Sequence, residues 1–366
     1  MAREEASSLR RGWTTGACAA AAARAAYAAL LTGTFPNPVA IRLPRGQKPE
    51  FPLALAELGD GRARAGVVKD AGDDPDVTHG ATIITEVTWG VPGTGICFAA
   101  GEGVGTVTRP GLPLRVGEPA INPAPRAMIR EALANLAEAN GAPPPDLAVT
   151  IAIPGGETLA EKTMNARLGI VGGLSVLGTT GIVVPYSCAS WVHAIHRGID
   201  VARAAGLDHI AAATGTTSER AVQRLYDLPD HALIDMGDFV GGTLKYLRGH
   251  PVARLTLAGG FAKMAKLAVG HLDLHSSKSR VDPAMLTAML AAMGADGEAV
   301  AAAEQADSAG AVLDAAGAWA PALADGVARR AREVALATLS GATAVGVAII
   351  GRAGDVLARV GGEARP

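Results

Sequence analysis

The spacing of apolar and polar positions changes character about half-way along the chain. Thr14 or Thr15 can cap a helix running through the alanines to Leu31, with Gly33 as its stop. Short extended runs follow at Val39 to Leu43, Phe51 to Leu58, Arg62 to Val68 and Ala81 to Trp89, punctuated by Gly, Pro and Asp. Ala124 to Asn140 returns to helical spacing until Pro143-Pro144-Pro145 blocks continuation, and Leu147 to Ile153 reads as an apolar strand. Strands and helices without regular alternation predict an irregular α+β half.

From Ala189 onward the rhythm is regular. Helices are predicted at Ala189 to Ala205, Ser218 to Tyr226, Phe239 to Arg248 and Phe261 to Val269. Strands are predicted between them at His209 to Ala213, Ala232 to Met236 and Val252 to Ala258. Repeated strand-helix alternation predicts an α/β half with a doubly wound, Rossmann-like parallel sheet. Pro283 to Leu339 is alanine-rich and largely helical, and Ala344 to Ile350 with Asp355 to Val360 suggest a closing hairpin or edge strands. A chain of 366 residues exceeds the size at which one core keeps growing. The expectation is therefore an α+β domain over 1–188, then an α/β domain over 189–366 with a helical segment at 283–340.

Composition narrows the function classes. Lys and Arg number 33 against 35 Asp and Glu, so bulk charge offers no nucleic-acid or membrane footprint, although a locally basic pocket stays open. No uncharged run approaches the ~20 residues that a membrane span requires. Arg10-Arg11 before an alanine stretch resembles an export signal superficially. Arg24 interrupts that stretch, and its Leu30-Leu31-Thr32-Gly33 ending fits a capped helix better. Cys18, Cys97 and Cys188 are far apart and lack CxxC spacing, so they read as reduced, mostly buried thiols of a cytoplasmic protein, with no metal site.

The chemistry-bearing motifs are glycine-rich. Gly101-Glu102-Gly103-Val104-Gly105 matches GxGxG, but Pro110, Pro113 and Pro119 follow where a helix would have to start, so a glycine-rich hairpin fits better. The right context occurs at Gly215-Thr216-Thr217-Ser218, at Asp235 to Gly237 and at Gly259-Gly260, each at a predicted strand end. In open α/β sheets ligands lie beyond those ends, so a nucleoside reading stands beside one of helix caps and turns. Val68 to His79 holds Asp70, Asp73, Asp74 and Asp76. It reads as an Asp-rich turn, as a site where like charges raise one aspartate's pKa to make a base (Asp70, Asp73 or Asp74), or least well as a metal loop.

The run Ile153 to Ser187 (IPGGETLAEKTMNARLGIVGGLSVLGTTGIVVPYS) occurs with LRRGWTTGACAAAAARAA (Leu9 to Ala26), VKDAGDDPDVTHG (Val68 to Gly80), GEPAINPAPR (Gly117 to Arg126) and HSSKSRVD (His275 to Asp282). Together these blocks resemble the cobalt-precorrin-5B C(1)-methyltransferase family. The resemblance implies methyl transfer from S-adenosylmethionine to C-1 of cobalt-precorrin-5B, giving cobalt-precorrin-6A in anaerobic cobalamin biosynthesis. Cobalt then arrives inside the substrate. The implied partner is a carboxylate-rich tetrapyrrole, and the oligomeric state stays open. Its candidate contacts are Thr14, Thr15, Arg126, Gly178, Thr179, Thr180, His275 and Lys278, with Arg10, Arg11, Lys162, Arg167 and Arg280 as further cations. S-adenosylmethionine is expected on the strand-end rim, with the corrinoid spanning a cleft towards Gly178 and Asp70 to Asp76. A nucleotide- or NAD(P)-dependent enzyme and a non-catalytic corrinoid carrier remain the alternatives.

Overall fold

The computed structural model describes residues 9–362, and the chain divides between Ser187 and Cys188 into two compact units. It is a mixed α/β protein that includes a largely parallel sheet.

In the first unit, helix α1 (Thr15–Thr32) forms the centre of the core. The Thr14 hydroxyl accepts a hydrogen bond from the Ala17 amide, and Gly33 ends the helix at φ 78°. Fourteen of its eighteen residues are buried. A helix enclosed on every side needs small side chains to let neighbouring backbones close in, which accounts for its alanine run. Gly16 near its start packs against Pro125 and Met128 of helix α2 (Pro123–Ala139). Its other side faces a sheet, whose Thr85 hydroxyl donates to the Ala19 carbonyl at 3.1 Å.

That sheet comprises β1 (Leu55–Gly59), β2 (Arg62–Val68), β3 (Thr82–Trp89), β4 (Ile96–Ala100) and β5 (Leu147–Ala152), in the order β1-β2-β3-β5-β4. All pairings are antiparallel except β4 with β5. Burial alternates along β3 and β5, with Ile83, Val87, Val149 and Ile151 inward. The outer face carries Arg64 between its cross-strand neighbours Glu57 and Glu86.

Several expectations for this half are corrected. Strand β4 went unread because Ile96 to Ala100 lacks alternation and is largely exposed. The Gly101 to Gly105 segment is not a hairpin. Thr106–Val107 pairs instead with the distant Ile170–Val171. Gly103, Gly156 and Gly173 meet backbone to backbone: a Cβ on Gly103 would lie 2.0 Å from the Ile153 carbonyl oxygen, and one on Gly173 2.3 Å from the Gly103 oxygen. Leu174 N–H donates to Gly103, and Ile153 N–H to Glu102.

The second unit runs α3 (Cys188–Ala204), β6 (His209–Ala213), α4 (Thr216–Tyr226), β7 (Leu233–Asp235), α5 (Val240–Gly249), β8 (Arg254–Gly260) and α6 (Phe261–Ala268). Four helices follow, α7 (Pro283–Ala292), α8 (Gly297–Glu304), α9 (Ala309–Ala315) and α10 (Ala320–Leu339), then β9 (Ala344–Ile350) and β10 (Val356–Gly361). The sheet order is β7-β6-β8-β9-β10, parallel except for the final pair. The last two strands do form a hairpin, but β9 is interior rather than an edge, which explains its unbroken burial from Val345 to Ile350. Helices cover both faces. Ala211, Ala213, Ala258 and Ala348 pack with Ala221 and Val222 of α4. Leu255, Leu257, Val345 and Val347 face Leu244, Met264, Val327 and Ala331 on the other side.

Candidate functional site

Three segments of the first unit converge around the start of α1. The chain before the helix lies against the loop after β2: Trp13 N–H donates to the Asp70 carbonyl at 2.7 Å, and Asp73 N–H to the Arg10 carbonyl at 2.9 Å. Contact is backbone to backbone, since a Cβ on Gly12 would sit 2.0 Å from the Ala71 carbonyl carbon and one on Gly72 2.1 Å from the Arg10 oxygen. From the other side, Thr14 N–H donates to Gly181 and Gly16 N–H to Leu177, both at 3.0 Å. A Cβ on Gly178 would clash with the Thr14 side chain, so glycine is required there to seat the loop on the helix cap.

Thr14, Thr15, Gly178, Thr179, Thr180, Asp70, Asp73 and Asp74 are thus brought together, although not in the roles expected. Thr14 and Thr15 are buried, and the Thr14 hydroxyl is committed to capping. Thr179 alone of the 178–180 loop is exposed. Each candidate aspartate has a donor. Asp70 accepts from both terminal nitrogens of Arg10, one at 2.8 Å, and from Gly72 N–H. Asp73 accepts from Arg10 N–H, and Asp74 from Tyr186 N–H at 2.9 Å.

The surroundings of Asp70 run against the raised pKa expected of a base. The hydrogen bonds from the Arg10 side chain, then that from Gly72 N–H, hold its carboxyl down at about 2. Sequence reasoning counted the acids and could not see the cations among them. One cation it missed is Lys69, 2% exposed, whose ammonium donates to Asp76 and to the Thr78 hydroxyl. Burial pushes the Asp76 carboxyl up, but Lys69 and Thr78 outweigh it and the net direction is down.

Arg126 is not a free cation. Its Nε donates to the Ile121 carbonyl at 2.7 Å, a terminal nitrogen pairs with Glu118 at 2.8 Å, and its guanidinium lies 5.5 Å from the Phe98 ring centre.

In the second unit the predicted strand ends meet on one rim. Ala213 carbonyl accepts from the amides of Met236 and Gly237, and Thr214 N–H donates to Ala258. Gly259 packs against the Thr214 side chain. Gly215 begins α4 without a side-chain cap, and Thr216 and Thr217 are exposed beside it, whereas Ser218 is buried. Two residues that pattern alone does not flag complete the rim. Lys263 reaches across it, donating to the Thr214 carbonyl at 3.1 Å and lying 3.0 Å from Asp238. Trp191 donates its indole N–H to the Asp235 carbonyl at 3.1 Å and lays its ring over Gly237, half exposed.

His275 and Lys278 lie elsewhere, in the loop between α6 and α7. Lys278 is paired with Asp273 at 2.8 Å, and His275 with the Ser277 hydroxyl. His271 instead faces the Arg280 carbonyl at 3.1 Å.

The cysteine expectation needs correction too. Only Cys18 is buried, its thiol pushed up to about 12 by desolvation, while Cys97 and Cys188 are exposed. Among the described residues no helix is long and apolar enough to cross a membrane. Nor do those residues hold a group of three or more His, Cys, Asp or Glu side chains that could bind a metal ion.

Two family models match the chain, CbiD over residues 2–185 and the CbiD C-terminal domain over residues 273–361. The chain belongs to the CbiD family. A relative from Brucella anthropi named cobalt-precorrin-5B C(1)-methyltransferase is 57% identical, over 98% of this chain and 97% of its own length. Relatives of the same name from Paramagnetospirillum magneticum (57%, 98% and 99%) and Methylorubrum extorquens (58%, 97% and 98%) match as extensively. A crystal structure of a cobalamin biosynthesis protein (cbiD) from Archaeoglobus fulgidus is 29% identical, covering 69% of this chain and 77% of that one, with a TM-score of 0.38.

Proposed function

We propose that this chain methylates C-1 of cobalt-precorrin-5B to give cobalt-precorrin-6A, with S-adenosylmethionine as the donor. The observation that carries this reading is the near end-to-end match to relatives bearing that enzyme's name at 57% identity. The substrate is a tetrapyrrole, and its cobalt travels inside it. The sulfonium methyl is an electrophile, the ring carbon supplies the electron pair, and S-adenosylhomocysteine leaves. Such a reaction asks the protein chiefly for alignment and exclusion of water, so a site without a nucleophile is no obstacle.

We read the second unit as a Rossmann-like, doubly wound domain that binds the donor. Its strands, numbered along the unit, run 2-1-3-4-5, so winding reverses between β6 and β8. Ligands of such sheets sit beyond the strand carboxyl ends at that reversal, where Thr214, Gly215, Gly259 and Gly260 lie. The exposed Thr216 and Thr217 would meet the nucleoside, Asp235 and Gly237 would border it, and the open face of Trp191 offers adenine a stacking surface. Lys263 would fix the spacing between rim loops.

We read the first unit as the corrinoid-binding half, with Thr179, Thr180 and the Arg10–Asp70 pair facing the macrocycle and Thr14, Thr15 and Gly178 positioning them. His275 and Lys278, on the loop between α6 and α7, stay as candidate substrate contacts. Of the proposed bases, Asp73 and Asp74 remain.

Anaerobic incubation with methyl-labelled S-adenosylmethionine and cobalt-precorrin-5B should place label on C-1; a ring left unlabelled sinks the reading. The rim is tested separately by calorimetry, in which Thr217→Ala and Asp235→Ala should each weaken S-adenosylhomocysteine about tenfold. Unchanged affinity in both variants would move the donor elsewhere. Binding of NAD(P) or ATP in its place would favour the nucleotide-dependent alternative.

A further inference from the structure

A concave pocket of about 450 Å3 opens on the first unit beside the start of α2. Its apolar surface comes from Leu112, Leu114 and Pro123, and its charged surface from Arg115, Arg126, Arg130 and Glu118. Arg126 and Arg130 lie one turn apart on α2, and both guanidiniums flank Phe98, at 5.5 and 4.9 Å from the ring centre.

The charges do not cancel. Glu118 is taken by Arg126 at 2.8 Å, and Arg126 is also held by the Ile121 and Pro119 carbonyls. Among the described residues, Arg115 and Arg130 have no carboxylate within ion-pair distance. Arg130 makes a single long contact to the Ile96 carbonyl, at 3.5 Å. Two solvent-exposed guanidinium forks therefore line a hollow of mixed polar and apolar surface, with nearly all their donors unspent on protein partners. Arginines on a convex surface satisfy themselves with water. Around a hollow large enough for a ligand's edge, they present the complement of an apolar body that bears carboxylates.

The pocket is also tied to the loops gathered at the start of α1. Its wall segment bridges at Ile121 to Val176, and Asn122 N–H donates to the Val176 carbonyl just ahead of Gly178.

We propose that this pocket seats a carboxylate-bearing side arm of the tetrapyrrole, with Arg115 and Arg130 as the anion-binding forks and Arg126 as the fixed wall between them. This rests on the tetrapyrrole reading above. Arg115 and Arg130 act in binding and orientation, setting which ring carbon is presented, and take no part in bond making.

The test uses the full chain and two cobalt corrinoid probes, cobyrinic acid with its carboxylates free and the same corrinoid with every carboxylate amidated. Binding is followed by the corrinoid's visible absorbance. The wild-type chain should prefer the free acid, and rising salt should erode that preference. Combined Arg115→Gln and Arg130→Gln substitution should cost the free acid about tenfold or more in affinity, leave the amidated probe nearly unchanged, and flatten the salt dependence. Arg130→Lys should recover only part, because it restores charge without the fork. Arg329→Ala in the second unit, an exposed pair with Asp325, should change nothing. Equal weakening of both probes, or none, overturns the pocket while wild-type binding keeps the tetrapyrrole reading. A wild-type chain that ignores both probes overturns the two together.

Discussion

Glycine does different work in the two units. In the first, Gly12, Gly72, Gly103, Gly156 and Gly173 each stand where another backbone passes so close that a methyl group would overlap it. In the second, Gly206, Gly249, Gly270 and Gly294 sit at turns or helix ends with nothing within 4 Å of an added Cβ. The backbone approaches that do occur there are looser: a Cβ on Gly361 would lie 2.8 Å from the Val345 oxygen and one on Gly346 3.0 Å from the Gly362 Cα. The first unit thus positions its loops by what is missing from them. The second positions its strand ends by what lies between sheet and helices. A substitution that adds volume should injure the first far more than the second.

The largest effect is expected at Gly103. It combines φ 70° with a Cβ position 2.0 Å from the Ile153 oxygen, and both neighbours are backbone that cannot rotate away. Gly103→Ala should cost about 4 kcal/mol or more, or prevent the first unit from folding. Denaturant unfolding followed by far-ultraviolet dichroism reads this directly. A midpoint close to wild type would dissolve the contrast between the units.

Next comes the buried cation of the first unit. Lys69→Met keeps most of the apolar stem but leaves the Asp76 carboxylate facing only Thr78. Because Asp76 retains some water contact, a loss of about 3 kcal/mol is expected, at the low end for stripping one partner from a buried pair. The loss should be fully present at neutral pH and shrink in acid, where Asp76 takes up a proton and no longer needs the ammonium. An equal loss at pH 7 and pH 3, measured by urea midpoints, would show that packing rather than charge holds Lys69 there.

The second unit has its own buried titratable group. His209 is buried, its Nε2 2.8 Å from the Thr256 hydroxyl, and desolvation, helped by Arg254, pushes its pKa down to about 4. The unfolded chain holds this proton up to about pH 6.5, so between those values unfolding takes up protons and stability rises with pH. Stability should be complete above pH 6.5 and fall steadily towards pH 4, by about 3 kcal/mol at most. His209→Gln should flatten that slope. A slope that survives the substitution assigns the dependence to another group.

These contrasts also explain what the sequence disclosed. The second unit reads well because each strand and helix is dictated by its own local pattern, as in His209 to Ala213, where the predicted and observed limits coincide. The strand-end residues from Gly215 to Gly260 were legible for the same reason: parallel strands place their carboxyl ends on one rim. The first unit reads well at α1, α2, β2, β3 and β5 but poorly elsewhere between β4 and the second unit, since Thr106–Val107 finds its partner at Ile170–Val171 through glycine contacts that leave no periodic trace. The aspartates from Asp70 to Asp76 were visible as acids, but their electrostatics depended on Arg10 and Lys69. One of those cations lies sixty residues away in the chain and the other is buried. Trp191 carried no signal, because nothing local says that an aromatic near a helix start will lean over Gly237.

The smallest effect should be of opposite sign. Gly310 lies in α9 with ordinary helical geometry, and an added Cβ would meet only an Arg352 guanidinium nitrogen, at 3.6 Å. Gly310→Ala removes backbone freedom from the unfolded chain at little steric cost, so it should stabilise by roughly 0.5 kcal/mol. That is a modest rise in melting temperature, measurable against wild type in a single scan. Set beside Gly103→Ala, the same one-methyl change would then raise stability in one unit and abolish folding in the other. If Gly310→Ala destabilised comparably, a helical glycine with room beside it would tolerate a methyl group no better than Gly103, and the division of labour drawn from Gly103, Gly156 and Gly173 would fail.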